Sequence, residues 1–255
     1  MTSLMLAVML LAAPPSRDSC DRIPLLPAYA HNDYRNARPL RDALALGYRG
    51  VEADLFRTDT ALLVGHDRKG LRAIRNFVSL YLEPLRTRLH ECGYILPDST
   101  AFLLDVELKE RDPEAFRILV DRLREYAELF QPSQAGGAPP VRVALVGWWP
   151  AAAARPAWPS YLGVQVIVDD RSRVHGDTTG VPVTLVTIDY GRALHGSGRG
   201  AVLATARALA AAAGVPLRVH HAPVNARVYH WLLSEGVTLI GTTDLARTSE
   251  VLRGR

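Results

Sequence analysis

From about residue 24 onward the chain alternates short apolar runs with stretches of helical period. Eight runs predict strands: Tyr29–Asn32, Gly50–Phe56, Phe102–Lys109, Val141–Gly147, Leu162–Val168, Val183–Tyr190, Leu217–His221 and Val237–Thr242. A shorter run, Leu62–Val64, follows the second. Helical patterns lie between them at Leu40–Leu46 after Pro39, Phe77–Glu91, Pro113–Phe130 with Asp112 as N-cap, Gly200–Ala213 and Val224–Glu235. Strands that are apolar on both faces belong to a parallel sheet covered by helices. Eight such units favour a closed (β/α)8 TIM barrel, one α/β domain over 24–255, rather than an open doubly wound sheet. The fourth and fifth units are the least defined. Gln131–Pro140 and Pro150–Pro159 read as surface loops, and no internal repeat is visible.

Composition narrows the class without changing the fold. With 48% hydrophobic residues and two cysteines in 255 residues, the chain is neither a disordered segment nor a small disulfide framework. The 30 Lys+Arg and 26 Asp+Glu leave a formal charge of +4, dispersed rather than gathered into a basic patch, so no nucleic-acid partner is expected. Leu4 to Ala13 forms an apolar run of signal-peptide length followed by small residues, so residues 1–19 read as an export signal and the protein as secreted or periplasmic. A buried N-terminal helix is the alternative for that run. Cys20 and Cys92 are either a pair in an oxidising compartment or two free thiols. Oligomeric state is open.

The ionisable residues gather where a barrel of this kind carries its chemistry, at the C-terminal ends of the strands. The first strand runs into His31-Asn32-Asp33-Tyr34 and the second carries Glu52 and Asp54. The short run ends in Gly65-His66-Asp67, and the third full strand carries Asp105, Glu107 and Lys109. Two residues apart on a strand, Glu52 and Asp54 share one face. Inside a barrel such a pair needs a cation, and Glu107 from the neighbouring strand completes an all-oxygen set suited to Mg²⁺ or Ca²⁺. Asp105 shares a face with Glu107 and is the rival third ligand. The alternative for the pair is ion pairing with Arg49, Arg57 or Lys109. His31 and His66 supply a base and an acid, the two proton-transfer groups that phosphodiester cleavage requires.

The stretches AHND at 30–33, PLRDALALGYRGVEADLF at 39–56, LLVGHD at 62–67 and LLDVELK at 103–109 resemble the glycerophosphodiester phosphodiesterase and phosphatidylinositol-specific phospholipase C superfamily, in an uncharacterised branch. The resemblance covers about the first 110 residues. It implies a TIM-barrel phosphodiesterase with His31 and His66 as the acid/base pair, Glu52, Asp54 and Glu107 as metal ligands, and Lys109 as a phosphate-binding cation. Typical members carry His-Arg-Gly where this chain has His31-Asn32-Asp33. Asn32 therefore stands where the family's phosphate-binding arginine would be, and is expected at the substrate. Arg35, Arg38 or Lys109 is left to supply the missing charge. His220 or His221 stands where the family often has a tryptophan, and Thr242-Thr243-Asp244 resembles its closing Thr-Asp.

The expected partner is a small phosphodiester. Two other readings stay open: a phospholipase of the C or D kind acting on head groups at a membrane surface, and a barrel that binds a phosphorylated ligand without turning it over. Gly196-Ser197-Gly198-Arg199-Gly200 reads as a flexible loop more readily than as a phosphate cradle, and Trp148-Trp149 either walls the pocket or packs in a loop.

Overall fold

The computed structural model of the chain describes residues 20–132, 137–151, 158–175 and 178–254. The apolar segment read as an export signal lies outside the described residues, as do parts of both Pro/Ala-rich loops. In chain order the strands are β1 (Ala28–Ala30), β2 (Gly50–Thr58), β3 (Ala61–Val64), β4 (Phe102–Leu108), β5 (Val141–Val146), β6 (Leu162–Val168), β7 (Val174–His175), β8 (Val183–Asp189), β9 (Leu217–His220) and β10 (Leu239–Thr242). Parallel pairing runs β1-β2-β4-β5-β6-β8-β9-β10 and returns to β1, closing an eight-stranded barrel. The fold is the (β/α)8 barrel read from the sequence.

All eight predicted strands are present, most of them ending a residue or more earlier than their apolar runs suggest. β3 turns back antiparallel on β2, and β7 does the same on β6. The helices are α1 (Arg41–Ala45), α2 (Glu83–Cys92), α3 (Pro113–Glu125), α4 (Tyr190–Ala193), α5 (Arg199–Ala213), α6 (Ala226–Ser234) and α7 (Leu245–Leu252). A π-helical turn, Val78–Leu82, leads into α2. Among the described residues no helix follows β5 or β6, the fourth and fifth units, so these lack the helical period that marks off the others. The predicted Pro113–Phe130 helix stops at Glu125 and gives way to a 3₁₀ turn over Ala127–Leu129. Asp112 caps it as expected, its side chain accepting from the Glu114 N–H.

Outside the ring, apolar side chains of helices and strands form two continuous clusters, one around β2, β4 and α3 and one around β8, β9 and α5. Inside, the bottom of the barrel is plugged by Tyr29, Leu103, Ala144, Leu185 and Leu239. Gly50 belongs to this crowded end: a Cβ there would lie 2.6 Å from the Leu103 carbonyl oxygen and 2.8 Å from the Tyr29 ring. Above the plug the interior turns polar. Cys20 and Cys92 are disulfide-bonded, Cα to Cα 5.4 Å, tying the start of the described chain to the end of α2. Trp149 is buried in the first outer cluster, so it packs in its loop.

Candidate active site

Period-two alternation on β2 and β4 builds the site. In parallel register Glu52 lies beside Asp105 and Asp54 beside Glu107, so four carboxylates form two levels, one deep and one at the mouth. Glu52, Asp54 and Glu107 each present an oxygen, and the three oxygens lie within 4.8 Å of one another. Glu52 Oε2 and Asp54 Oδ1 are buried without a hydrogen-bond partner. Burial, with Asp105, Asp54 and Glu107 around it, raises the Glu52 carboxyl to about 8 against the opposing pull of Arg218. Burial and then Asp54 raise Glu107 as well. Three acidic groups held so close, with buried lone pairs unused, fit a divalent cation bound through oxygen.

Lys109 and Tyr34 orient the mouth pair. Lys109 Nζ lies 3.3 Å from Asp54 Oδ2 and 3.1 Å from Glu107 Oε1. Burial works against its charge, yet the two carboxylates raise its pKa overall. The Tyr34 hydroxyl contacts both Asp54 Oδ2 and Asn32 Oδ1 at 2.7 Å, so Asn32 is tied into the same network. Of the charges expected near the carboxylates, Arg49 pairs with Asp98, Arg57 with Asp112, and Arg38 with Asp42 at the surface; Lys109 stands at the cluster, and the charge of Arg35 acts on His31.

His31 follows β1 directly, and its backbone N–H donates to the Thr242 carbonyl at 2.8 Å. Its Nε2 lies 3.7 Å from Glu52 Oε2. Burial, then the charge of Arg218, lowers its pKa to about 3. His66, two residues past β3, is exposed, and its charge acts on Glu107. The two histidines therefore differ in setting: one is enclosed beside the deep carboxylate, the other open to solvent on the Glu107 side.

Sequence reasoning missed the residue that organises the deep level. Arg218 on β9 is buried inside the barrel, where Nη1 contacts Asp105 Oδ2 at 2.9 Å and lies 3.6 Å from Glu52 Oε2. It also donates to Gln165 Oε1 at 2.6 Å and Thr187 Oγ1 at 3.2 Å, and lies over the Tyr29 ring. Asp105, the rival third ligand, is thus occupied by Arg218, and Glu107 completes the cluster. The signal available was an arginine inside an apolar strand, with a histidine two positions on. His220 and His221 also reach the mouth: the ring centroids of His31 and His220 are 5.5 Å apart, and those of His31 and His221 4.9 Å.

Residues 17–130 match the family model of the AIM6-like phosphodiesterase domain. The chain is 33% identical over 112 residues to Altered inheritance of mitochondria protein 6 of Eremothecium gossypii, a match covering 38% of this chain and 28% of that protein. It is 45% identical over 73 residues to the protein of the same name in Lachancea thermotolerans, covering 28% and 17% respectively. The matched stretch is thus well under half the length of these curated relatives. In fold the chain is similar to a glycerophosphodiester phosphodiesterase from Agrobacterium tumefaciens, with a TM-score of 0.53 at 13% identity, covering 89% of this chain and 99% of that one. The first half of the chain is thus similar in sequence to the AIM6-like phosphodiesterase domain, and the barrel as a whole is similar in fold to a glycerophosphodiester phosphodiesterase.

Proposed function

We propose that the chain is an exported, divalent-metal-dependent phosphodiesterase that hydrolyses glycerophosphodiesters or related small phosphodiesters. The observation that carries this reading is the convergence of Glu52, Asp54 and Glu107 within 4.8 Å at the barrel mouth, beside His31. Glu52, Asp54 and Glu107 would hold Mg²⁺ or Ca²⁺. Such an ion, when bound, polarises the phosphoryl oxygens and offsets charge developing on them. Lys109 adds a positive charge facing the phosphate. His31, neutral because burial and Arg218 disfavour its cation, accepts the proton of the attacking hydroxyl at a ring nitrogen. His66, at the open side, delivers a proton to the departing alkoxide. The Cys20–Cys92 disulfide supports the reading of an exported protein.

The test is hydrolysis of a panel of glycerophosphodiesters and intact phospholipids with Mg²⁺ or Ca²⁺, and with EDTA as control. Glycerophosphodiester turnover should vanish with EDTA and return with metal. His31→Ala and His66→Ala should each lower it by about 10²–10⁴-fold in folded protein. Cleavage of phospholipids alone would replace the substrate class with lipid head groups. Bound metal with no turnover of any panel member would overturn the enzymatic reading in favour of a ligand-binding barrel.

A further inference from the structure

The mouth of the barrel carries a second convergence of ligand atoms, on the strands facing away from the carboxylates. Asp189 ends β8, His220 ends β9 and His221 follows it. One ligand atom from each lies within 4.8 Å of the other two. His221 Nδ1 is 3.0 Å from Asp189 Oδ2, and His220 Nε2 is 3.6 Å from the same oxygen. The second separation is too long for a hydrogen bond. It matches the roughly 3.4 Å between two ligands that each bind one ion at about 2.1 Å in tetrahedral geometry.

Three features of the chain bring these atoms together. Consecutive strand residues normally point to opposite faces, but His221 has φ 59°, and this left-handed turn brings its ring round to the carboxylate that His220 also faces. Gly241, paired with His220 in register, leaves room for the base of the His220 side chain: a Cβ there would lie 2.9 Å from the His220 Cβ. The atoms turned away from the convergence are held from behind. His220 Nδ1 contacts Thr187 Oγ1 at 3.1 Å, leaving Nε2 for the cluster, and Asp189 Oδ1 accepts the Arg192 backbone N–H at 3.1 Å, leaving Oδ2. A partner on the far nitrogen is what fixes a metal-ligating histidine in orientation.

We infer that Asp189, His220 and His221 form a second cation site, for a transition-metal ion of the Zn²⁺ class. Two imidazole nitrogens and one carboxylate oxygen suit Zn²⁺ or Co²⁺, whereas the three carboxylates across the mouth suit a hard ion such as Mg²⁺. The exposed Arg192 side chain, Nε 3.7 Å from Asp189 Oδ2, would swing aside on binding. His31 stands between the two sites, 3.7 Å from Glu52 on one side and, on the other, edge-on to the His220 ring and tilted against that of His221. The inference rests on the β8–β9 residues alone and stands whether or not the carboxylate cluster serves catalysis.

The test is Co²⁺ titration of the chelator-treated full chain, followed by visible absorption, with bound Zn²⁺ counted by elemental analysis. The wild type should bind one Co²⁺ with ligand-field bands typical of mixed nitrogen and oxygen ligands. His221→Ala, an exposed change that leaves the barrel interior intact, should weaken this binding by at least about tenfold, and His220→Ala likewise. The double variant Glu52→Gln, Glu107→Gln should keep it within about twofold while losing Mg²⁺ affinity, a margin well under the 1.4 kcal/mol of a tenfold change. Equal Co²⁺ affinity in His221→Ala and wild type would overturn the second site, as would loss of the ion in the carboxylate variant alone.

Discussion

Arg218 Nη1 and Asp105 Oδ2 meet at 2.9 Å inside the barrel, although the two residues are 113 positions apart in the chain. This ion pair sits below the mouth and separates the acidic residues into two groups. Asp105 makes the closer contact with the arginine, and Glu52, Asp54 and Glu107 remain as the convergent set of oxygens.

Removing the cation from this pair should cost far more than removing both charges. Arg218→Leu leaves Asp105 buried without its partner, so we expect a loss of about 3–5 kcal/mol in urea unfolding. The double variant Arg218→Leu, Asp105→Leu should recover most of it. A single variant within about 1 kcal/mol of wild type would show that the pair does not organise the deep level.

The division between the two acidic levels predicts different phenotypes for neighbours on one strand face. Glu107→Gln should weaken Mg²⁺ or Ca²⁺ binding by at least about tenfold, or 1.4 kcal/mol, in calorimetric titration. Asp105→Asn should leave that affinity within about twofold and show its effect in stability instead. The reverse pattern would make Asp105 the third ligand.

Asp33 gives a pH dependence with a defined sign. Its buried carboxyl accepts the Leu40 N–H at 2.6 Å and is also bonded to Asn36, yet burial outweighs these bonds and raises its pKa from 3.8 to about 6. The folded state therefore holds this proton more tightly than the unfolded chain does. The stability it contributes is full below about pH 4 and is lost as pH rises to about 6. Relative to Asp33→Asn, which cannot titrate, the wild type should lose up to about 3 kcal/mol across that window. Parallel stability curves for the two proteins would refute the assignment.

The disulfide closes a loop with a sequence separation of 72 residues. Loop-closure entropy sets its contribution at no more than about 4.4 kcal/mol. Cys92→Ser should lower the melting temperature, and reductant should lower that of the wild type to a similar value while leaving the variant unchanged. Insensitivity of the wild type to reductant would mean that the bond does not support the fold.

The barrel was legible because a parallel strand covered on both faces must be apolar throughout, and such runs stand out even where no helix follows among the described residues, as at β5 and β6. Helix α7 was missed because Arg247, Thr248, Ser249 and Glu250 interrupt its apolar pattern. Thr248 and Ser249 are nevertheless buried there, satisfied by bonds to Thr242 and to the Leu245 carbonyl. Arg218 was overlooked for a related reason: alternation within β9 marks which residues share a face, but not whether that face holds a partner for a buried charge.

The sequence by itself determined the number and order of the eight barrel strands and the residues at the ends of the first strands: His31, Glu52, Asp54, His66, Glu107 and Lys109. These follow from local patterning, since periodicity and strand length are properties of a few consecutive residues. Only the tertiary structure decided which carboxylates share a level, that Asp105 belongs to Arg218, and that His31 lies near both Glu52 and the His220–His221 pair. Those relations depend on register between strands and on closure of the ring from β10 back to β1. Closure joins parts of the chain that are remote in sequence, so no local pattern encodes it.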